Sequence, residues 1–202
     1  MDEQGITALA EAVLGRLFVP VEASGRHVHV TAEQARALFG QDLTPERPLS
    51  QPGQYLAKER VTVVGPKGEF RNVAVLGPAR GDAQVEISLT DGKTLGIIPP
   101  VRLSGDVKDS PGCILEGPRG TVKLQQGVIA ARRHIHLTPE DGKILGVVDK
   151  QVVKLQVFTG RPVIFEDTVV RIHRDFQRAA HLDYDEANAC GFTQGGLGRI
   201  LP

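Results

Sequence analysis

An Arg-His-x-His-x-Thr segment occurs twice in this chain, first within "SGRHVHVTAEQARALFG" (residues 24–40) and again within "ARRHIHLTPEDGKILG" (residues 131–146). Arg26, His27, His29, Thr31, Glu33 and Leu38 recur, 107 residues on, as Arg133, His134, His136, Thr138, Glu140 and Leu145. Each copy opens with apolar and polar residues in alternation, the period of a strand. Each then reaches a threonine and changes to helical spacing. Thr31 with Gln34 makes a capping box, and Pro139 takes the first helical position after Thr138, where its missing N–H costs nothing. A strand that turns directly into a capped helix, used twice, predicts an internally duplicated chain of two related lobes.

The remaining sequence predicts many short strands, at 60–64, 70–76, 83–89, 114–115, 121–124, 127–130, 152–157 and 169–173. Turn signals separate them: Gly65-Pro66, Gly77-Pro78, Asp91-Gly92, Pro99-Pro100, Gly117-Pro118 and Thr159-Gly160. The 23 glycines and 13 prolines suit that many tight turns. Residues 40–56 read as a proline-rich loop. Residues 6–18 are the clearest helix, with Ile6, Leu9, Ala10, Val13, Leu14 and Leu17 on one face. The fold class is therefore mainly β, a barrel or sandwich with a few short helices and an amphipathic helix at the N-terminus.

Charge is balanced, 24 Lys and Arg against 24 Asp and Glu. A general nucleic-acid binder needs a basic excess to displace counterions, so that class is excluded. Cys113 and Cys190 stand far apart, in no metal-ligand spacing, and form no disulfide framework; a reducing cytosol is expected. No apolar run approaches the roughly 18 residues of a membrane span. The first residues are acidic, and Glu11 and Arg16 interrupt the apolar positions after them, unlike a secretory signal.

Four of the six histidines stand in the two repeated segments. Residues two apart on a strand share a face. His27 and His29 can therefore aim two imidazoles at one point, as can His134 and His136, with Val28 and Ile135 facing the core. Two convergent imidazoles are half of a site for zinc or a similar divalent ion. His181, Glu86 and His173 are candidates for further ligands. The segment "HVHVTAEQARALFG" also fits a cupin metal pattern, in which Glu33 would be a ligand. Glu33 falls instead in the first turn of the predicted helix, where it complements the helix dipole.

The motifs "SGRHVHVT", "LGPARGDAQVEISLTDGKTLGI", "PPVRLSGDVKDSPGCILEGPRG", "GVIAARRHIHLTPEDG" and "HLDYDEANACG" occur in the order seen in the PduL-type phosphotransacylases, the phosphate propanoyltransferases of bacterial microcompartments. The chain resembles that family from about Val21 onward. The resemblance implies two small β-barrels capped by short helices. Residues 19–25 plus 132–202 would form the first barrel, and residues 26–131 the second, with a loop insertion at about 39–59. It also implies an active site between the barrels with two divalent ions, usually zinc. His27, His29 and Glu86 would hold one; His134, His136 and His181 the other.

The implied reaction is acyl-CoA (propanoyl or acetyl) plus phosphate giving acyl phosphate plus CoA, by direct transfer. Arg80 would bind phosphate, and Arg26, Arg102, Lys108 and Arg132 would help to hold CoA. His173 is left without a role. The resemblance further implies a homodimer or larger assembly and a cytoplasmic location inside a microcompartment. Residues 1–18 would either reach shell or cargo proteins or pack on the chain's own domain or on a sister subunit. No nucleic-acid or membrane partner is expected. A dinuclear metallohydrolase and a non-catalytic metal-binding microcompartment protein are the alternative readings.

Overall fold

A computed structural model describes residues 2–201. The chain divides into two compact units, one of residues 2–23, 133–182 and 186–201, the other of residues 24–132 and 183–185. In chain order the first unit opens with α1 (Glu3–Leu17) and β1 (Val19–Ala23). The other unit then runs through β2 (His27–His29), α2 (Ala32–Phe39), β3 (Pro45–Pro48), β4 (Tyr55–Val64), β5 (Glu69–Gly77), β6 (Gln84–Glu86), α3 (Leu89–Leu95), β7 (Val101–Arg102), β8 (Cys113–Glu116), β9 (Thr121–Leu124) and β10 (Val128–Ala131). The chain ends with β11 (His134–Leu137), α4 (Pro139–Leu145), β12 (Val152–Phe158), β13 (Val163–Ile172), β14 (Ala179–Leu182), α5 (Tyr184–Ala189) and β15 (Leu197–Leu201).

In the first unit six strands close a barrel in the order β1-β14-β11-β13-β12-β15. Its interior holds Val19, Val21, Ile135, Leu137, Leu155, Val157, Val170 and Leu182, all nearly or fully buried. In the other unit the strands form a curled sheet, β7-β10-β6-β2-β5-β4-β8-β9, with β3 on β4. No ladder closes this sheet. A backbone bond from Val128 N–H to Pro111 O (2.9 Å) nevertheless joins β10 to the residues leading into β8. Its core gathers Val28, Val30, Leu38, Val75, Val85, Leu95, Leu115 and Val128. The mainly β class read from the sequence is the class of the structure. The barrel closes completely in one unit, and the sheet curls part-way in the other.

Local chemistry explains the short helices. Thr31 and Thr138 each accept the N–H of the third helical residue, and Gln34 and Asp141 return the bond. Gly40 and Gly146 end those helices with φ of 75° and 69°, the left-handed region where only glycine is unstrained.

Several elements differ from the sequence reading or were absent from it, among them β7, the strand β14 that carries His181, and α5. The strand expected over 83–89 stops at Glu86, because Ser88 accepts the Asp91 N–H (3.1 Å) and Asp91 accepts the Ser88 N–H (3.3 Å). That capping box starts α3, and it outweighs the apolar alternation of Val85, Ile87 and Leu89. The loop expected over 40–56 contains β3, whose prolines are tolerated because it pairs only with β4. The C-terminal residues form β15, which pairs with both β12 and β1 and closes the barrel.

Helix α1 is capped by Asp2, whose carboxylate accepts the Gly5 N–H at 2.9 Å. It is held at its far end, where the Phe18 ring meets the edge of Phe158 (centroids 5.6 Å apart) and Arg178 donates to the Gly15 carbonyl. Ile6, Leu9, Val13, Leu14 and Leu17 are all about half exposed, between 45% and 55%. None of the described helices is long and apolar enough to cross a membrane.

Candidate active site

Strand β2 places His27 and His29 on one face and is buried along its whole length. Its antiparallel partner β6 sets Glu86 directly opposite His27 and Gln84 opposite His29. The result is a buried cluster of His27, His29 and Glu86, with one ligating atom from each within 4.8 Å of the others. His27 Nε2 lies 3.6 Å from Glu86 Oε1. The two rings stand 5.1 Å apart and nearly perpendicular, at 89°.

Backbone carbonyls orient both imidazoles. His27 Nδ1 is 2.8 Å from Gly25 O, and His29 Nδ1 is 3.2 Å from Leu76 O. A neutral imidazole that donates from Nδ1 keeps its Nε2 lone pair for a ligand. Glu86 is held in turn by Gln84, whose amide donates to Glu86 Oε1 and to Ser104 Oγ (2.8 Å) and whose carbonyl accepts the Gly105 N–H (2.7 Å).

Electrostatics follow from this packing. Burial works against charge on His27, yet the neighbouring Glu86 outweighs it and raises the imidazole pKa. Burial alone would raise the Glu86 carboxyl. His27, by charge and hydrogen bond, instead holds it well below the usual carboxylate range. His29 falls to about 3, because burial disfavours its charged form and the charges of His27 and Arg80 oppose it further.

The barrel carries a second cluster built on the same cross-strand relation. His134 and His136 lie on β11, and His181 on the antiparallel strand β14 sits directly opposite His134. The three ligating atoms again lie within 4.8 Å of one another. Ring centroids are 4.6 Å (His134–His136), 5.1 Å (His134–His181) and 4.9 Å (His136–His181) apart. Phe176 covers the His136 ring at 4.2 Å. Beside His181, in parallel register on β1, is Glu22, whose Oε2 lies 3.3 Å from His181 Nε2. The sequence reading missed Glu22. Its only signal there was the alternation of Val19, Val21 and Ala23 around it.

These are the groups of three or more metal-ligating side chains found among the described residues. They have the donor types a divalent ion such as zinc takes: three imidazoles in one, two imidazoles and a carboxylate in the other. In a tetrahedral zinc site, ligands about 2.0–2.1 Å from the ion stand about 3.3 Å apart. The 3.6 Å between His27 and Glu86 is close to that spacing.

Arg80 has its Nη1 3.5 Å from Ser104 Oγ, and its backbone N–H donates to Val30 O. Arg26 makes a forked pair with Asp91, Nη2–Oδ1 2.7 Å and Nε–Oδ2 3.1 Å. Arg102 donates to Asp106 (3.4 Å) and to the Lys108 carbonyl. The Lys108 side chain is exposed, and Arg132 is half-buried at the end of β10. His173 is exposed beside Asp175 and Phe176 and belongs to neither cluster. Glu33 is exposed in the first turn of α2, so the cupin arrangement is not formed. Cys113 and Cys190 are free and buried.

Comparison with known proteins agrees with the motifs. The family model for phosphate propanoyltransferase matches residues 20–193. A phosphate propanoyltransferase of Listeria monocytogenes is 50% identical over 207 residues, covering 100% of this chain and 97% of its own length. One from Clostridioides difficile is 46% identical over 205 residues, 98% of each chain. One from Thermotoga maritima is 51% identical over 184 residues, 90% of this chain and 88% of its own. The chain belongs to the phosphate propanoyltransferase family.

Proposed function

We propose that the chain is a metal-dependent phosphate acyltransferase that interconverts acyl-CoA and phosphate with acyl phosphate and CoA. One divalent cation would be held by His27, His29 and Glu86, the other by His134, His136 and His181. The observation that carries this reading is the third ligating side chain set directly across the strand from each buried histidine pair, in a chain of this family. Zinc is the cation that imidazole donors and a sulfur-bearing substrate suit best. Bound by three protein donors, it supplies Lewis acidity for a thioester carbonyl and a coordination position with affinity for thiolate.

The chain's own side chains do the remaining work. Arg80, beside the His27 cluster, presents a planar fork of donors that matches two phosphate oxygens. Arg102, Lys108 and Arg132 supply positive charge for the phosphates of CoA. A phosphate oxygen attacks the thioester carbonyl carbon. The new C–O bond forms, the C–S bond breaks, and its electron pair leaves with the CoA sulfur. Direct attack without an acyl-enzyme is supported by the cysteines. Both thiols are buried, Cys113 is pushed up to about 12 by that burial, and Cys190 is raised by burial as well. A thiol so held offers little thiolate as a nucleophile.

We place the enzyme in a bacterial microcompartment pathway, with the exposed apolar face of α1 as the segment that engages shell or cargo proteins. The decisive assay is turnover of acyl phosphate with and without CoA, with and without a strong chelator, on wild type and His27→Ala. The proposed enzyme turns over only with CoA and loses activity with the chelator and in the variant. CoA-independent consumption of acyl phosphate would make it a dinuclear hydrolase. Bound metal without turnover would make it a binding protein.

A further inference from the structure

Arg26 and Arg133 are the residues immediately before the two histidine strands, and both are tied to an acid on a helix. Arg26 forks onto Asp91, a side chain only 7% exposed. Asp91 lies five residues beyond Glu86, in the first turn of α3, where its carboxylate also accepts the Ser88 N–H. The guanidinium stacks 4.2 Å above the ring of Phe70, on β5. Arg133 donates to Glu186 Oε1 at 2.7 Å. Glu186 lies five residues beyond His181, in α5. Arg133 also donates to Glu166 O (2.6 Å), and its guanidinium lies 5.8 Å from the ring of Phe165, on β13. One arrangement thus occurs in both units: arginine before the histidine pair, acid five residues after the third ligand, phenylalanine on the strand parallel to the histidine strand.

We infer that Arg26 and Arg133 are positioning residues for the proposed metal sites, rather than the CoA contact that the sequence suggests for Arg26. The ladders that set ligand against ligand are short. β2 and β6 share three residue pairs, as do β11 and β14. Few backbone bonds therefore resist a shift of one ligand strand past the other. A charge-assisted bond to the helix that leaves the partner strand, forked from Arg26 and single from Arg133, pins both strands at the ligand end. The Phe70 ring under the Arg26 guanidinium adds a cation–π attraction, and Phe165 stands at the edge of that range from Arg133. The inference rests on the two-metal reading above and adds to it the groups that set the spacing of the donors.

The test uses the full-length protein and cobalt(II) or zinc(II) alone. Wild type and the variants Arg26→Ala, Arg26→Lys, Arg133→Ala and Arg133→Lys are titrated against a coloured chelator, and the cobalt d–d spectrum is recorded. His27→Ala and His134→Ala identify which cation belongs to which site. Arg26→Ala is expected to weaken the cation of the His27 site by about 10–100-fold, the range for groups that orient metal ligands, and to leave the other unchanged. Arg133→Ala is expected to do the converse. The lysine variants regain the melting temperature of the metal-free protein but not the affinity or the spectrum, because an ammonium cannot reproduce the two fixed donor directions of a guanidinium. The inference is overturned if wild type binds two cations and the lysine and alanine variants hold both with unchanged affinity and spectrum, whatever happens to melting. If an alanine variant does not fold, its lysine counterpart decides. Wild type that binds no cation would sink the two-metal reading itself.

Discussion

His27 stands directly opposite Glu86 across an antiparallel strand pair, with 3.6 Å between His27 Nε2 and Glu86 Oε1. His134 stands in the same relation to His181. In each unit a histidine-rich strand supplies two donors and its neighbour a third, so three residues from two short strands make a compact donor set.

Removing one donor should therefore empty one site and spare the other. Glu86→Gln keeps the shape and the contact with Gln84 but loses the anionic donor. Elemental analysis of purified protein should fall from two equivalents of metal to one, and acyl transfer should drop by about a hundredfold or more. Two retained equivalents with normal activity would show that Glu86 holds no metal.

Arg80 should matter to phosphate more than to acyl-CoA. Arg80→Lys keeps the charge and loses the fork. The KM for phosphate should rise by about tenfold, with the KM for acyl-CoA changed by less than about twofold. Equal effects on both would contradict a dedicated phosphate role.

The ion pair of Arg178 with Asp141 predicts an acid-sensitive contribution to stability. Burial would raise the Asp141 carboxyl, but its bond to Arg178, followed by bonds from Thr138, holds it below its ordinary value. A carboxylate depressed in the folded state stabilises the fold above its unfolded pKa, about 3.9, and that stability disappears as pH falls through the lower folded value. The melting temperature of Arg178→Ala should lie below wild type at neutral pH, and the two curves should converge as acid takes the pH below the ordinary carboxylate range and through the lower folded value. A gap that stays constant through that range would assign the loss to the Gly15 contact instead.

Helix α1 should be dispensable for catalysis. Its apolar side chains Ile6, Leu9, Val13, Leu14 and Leu17 are half exposed, so little core is lost with it. Removing residues 1–17 keeps Phe18 against Phe158. Turnover should stay within about twofold of wild type while loading into microcompartments is lost. Unchanged loading would end the targeting role, and collapse of turnover would make α1 part of the enzyme's own fold.

The elements legible in the sequence were those written in neighbouring residues. The two His-x-His strands, the threonine caps after them and most of the strand and turn series follow from period and capping chemistry within about ten residues. Helix α3 shows how local signals can compete: Ile87 and Leu89 extend the strand alternation, while Ser88 and Asp91 bond to each other and end it. The sequence carried the same Ser-to-Asp spacing that Thr138 and Asp141 use, but the apolar period hid it.

What the residues by themselves determined is a mainly β chain with two pairs of imidazoles, each pair on one strand face, because side-chain alternation is a property of the backbone. Which third donor meets which pair was suggested by the family motifs but physically decided by tertiary structure. Glu86 is 59 residues from His27 and His181 is 47 from His134, and nothing in their local sequence sets a strand register across such gaps. Register comes from burying Val28 against Val85 and Ile135 against Ala180 in the same ladders, and those pairings exist only once each sheet has formed. The fork of Arg26 to Asp91, the single bond of Arg133 to Glu186, and the approach of Glu22 to His181 have the same cause: each joins residues that only the folded chain makes neighbours.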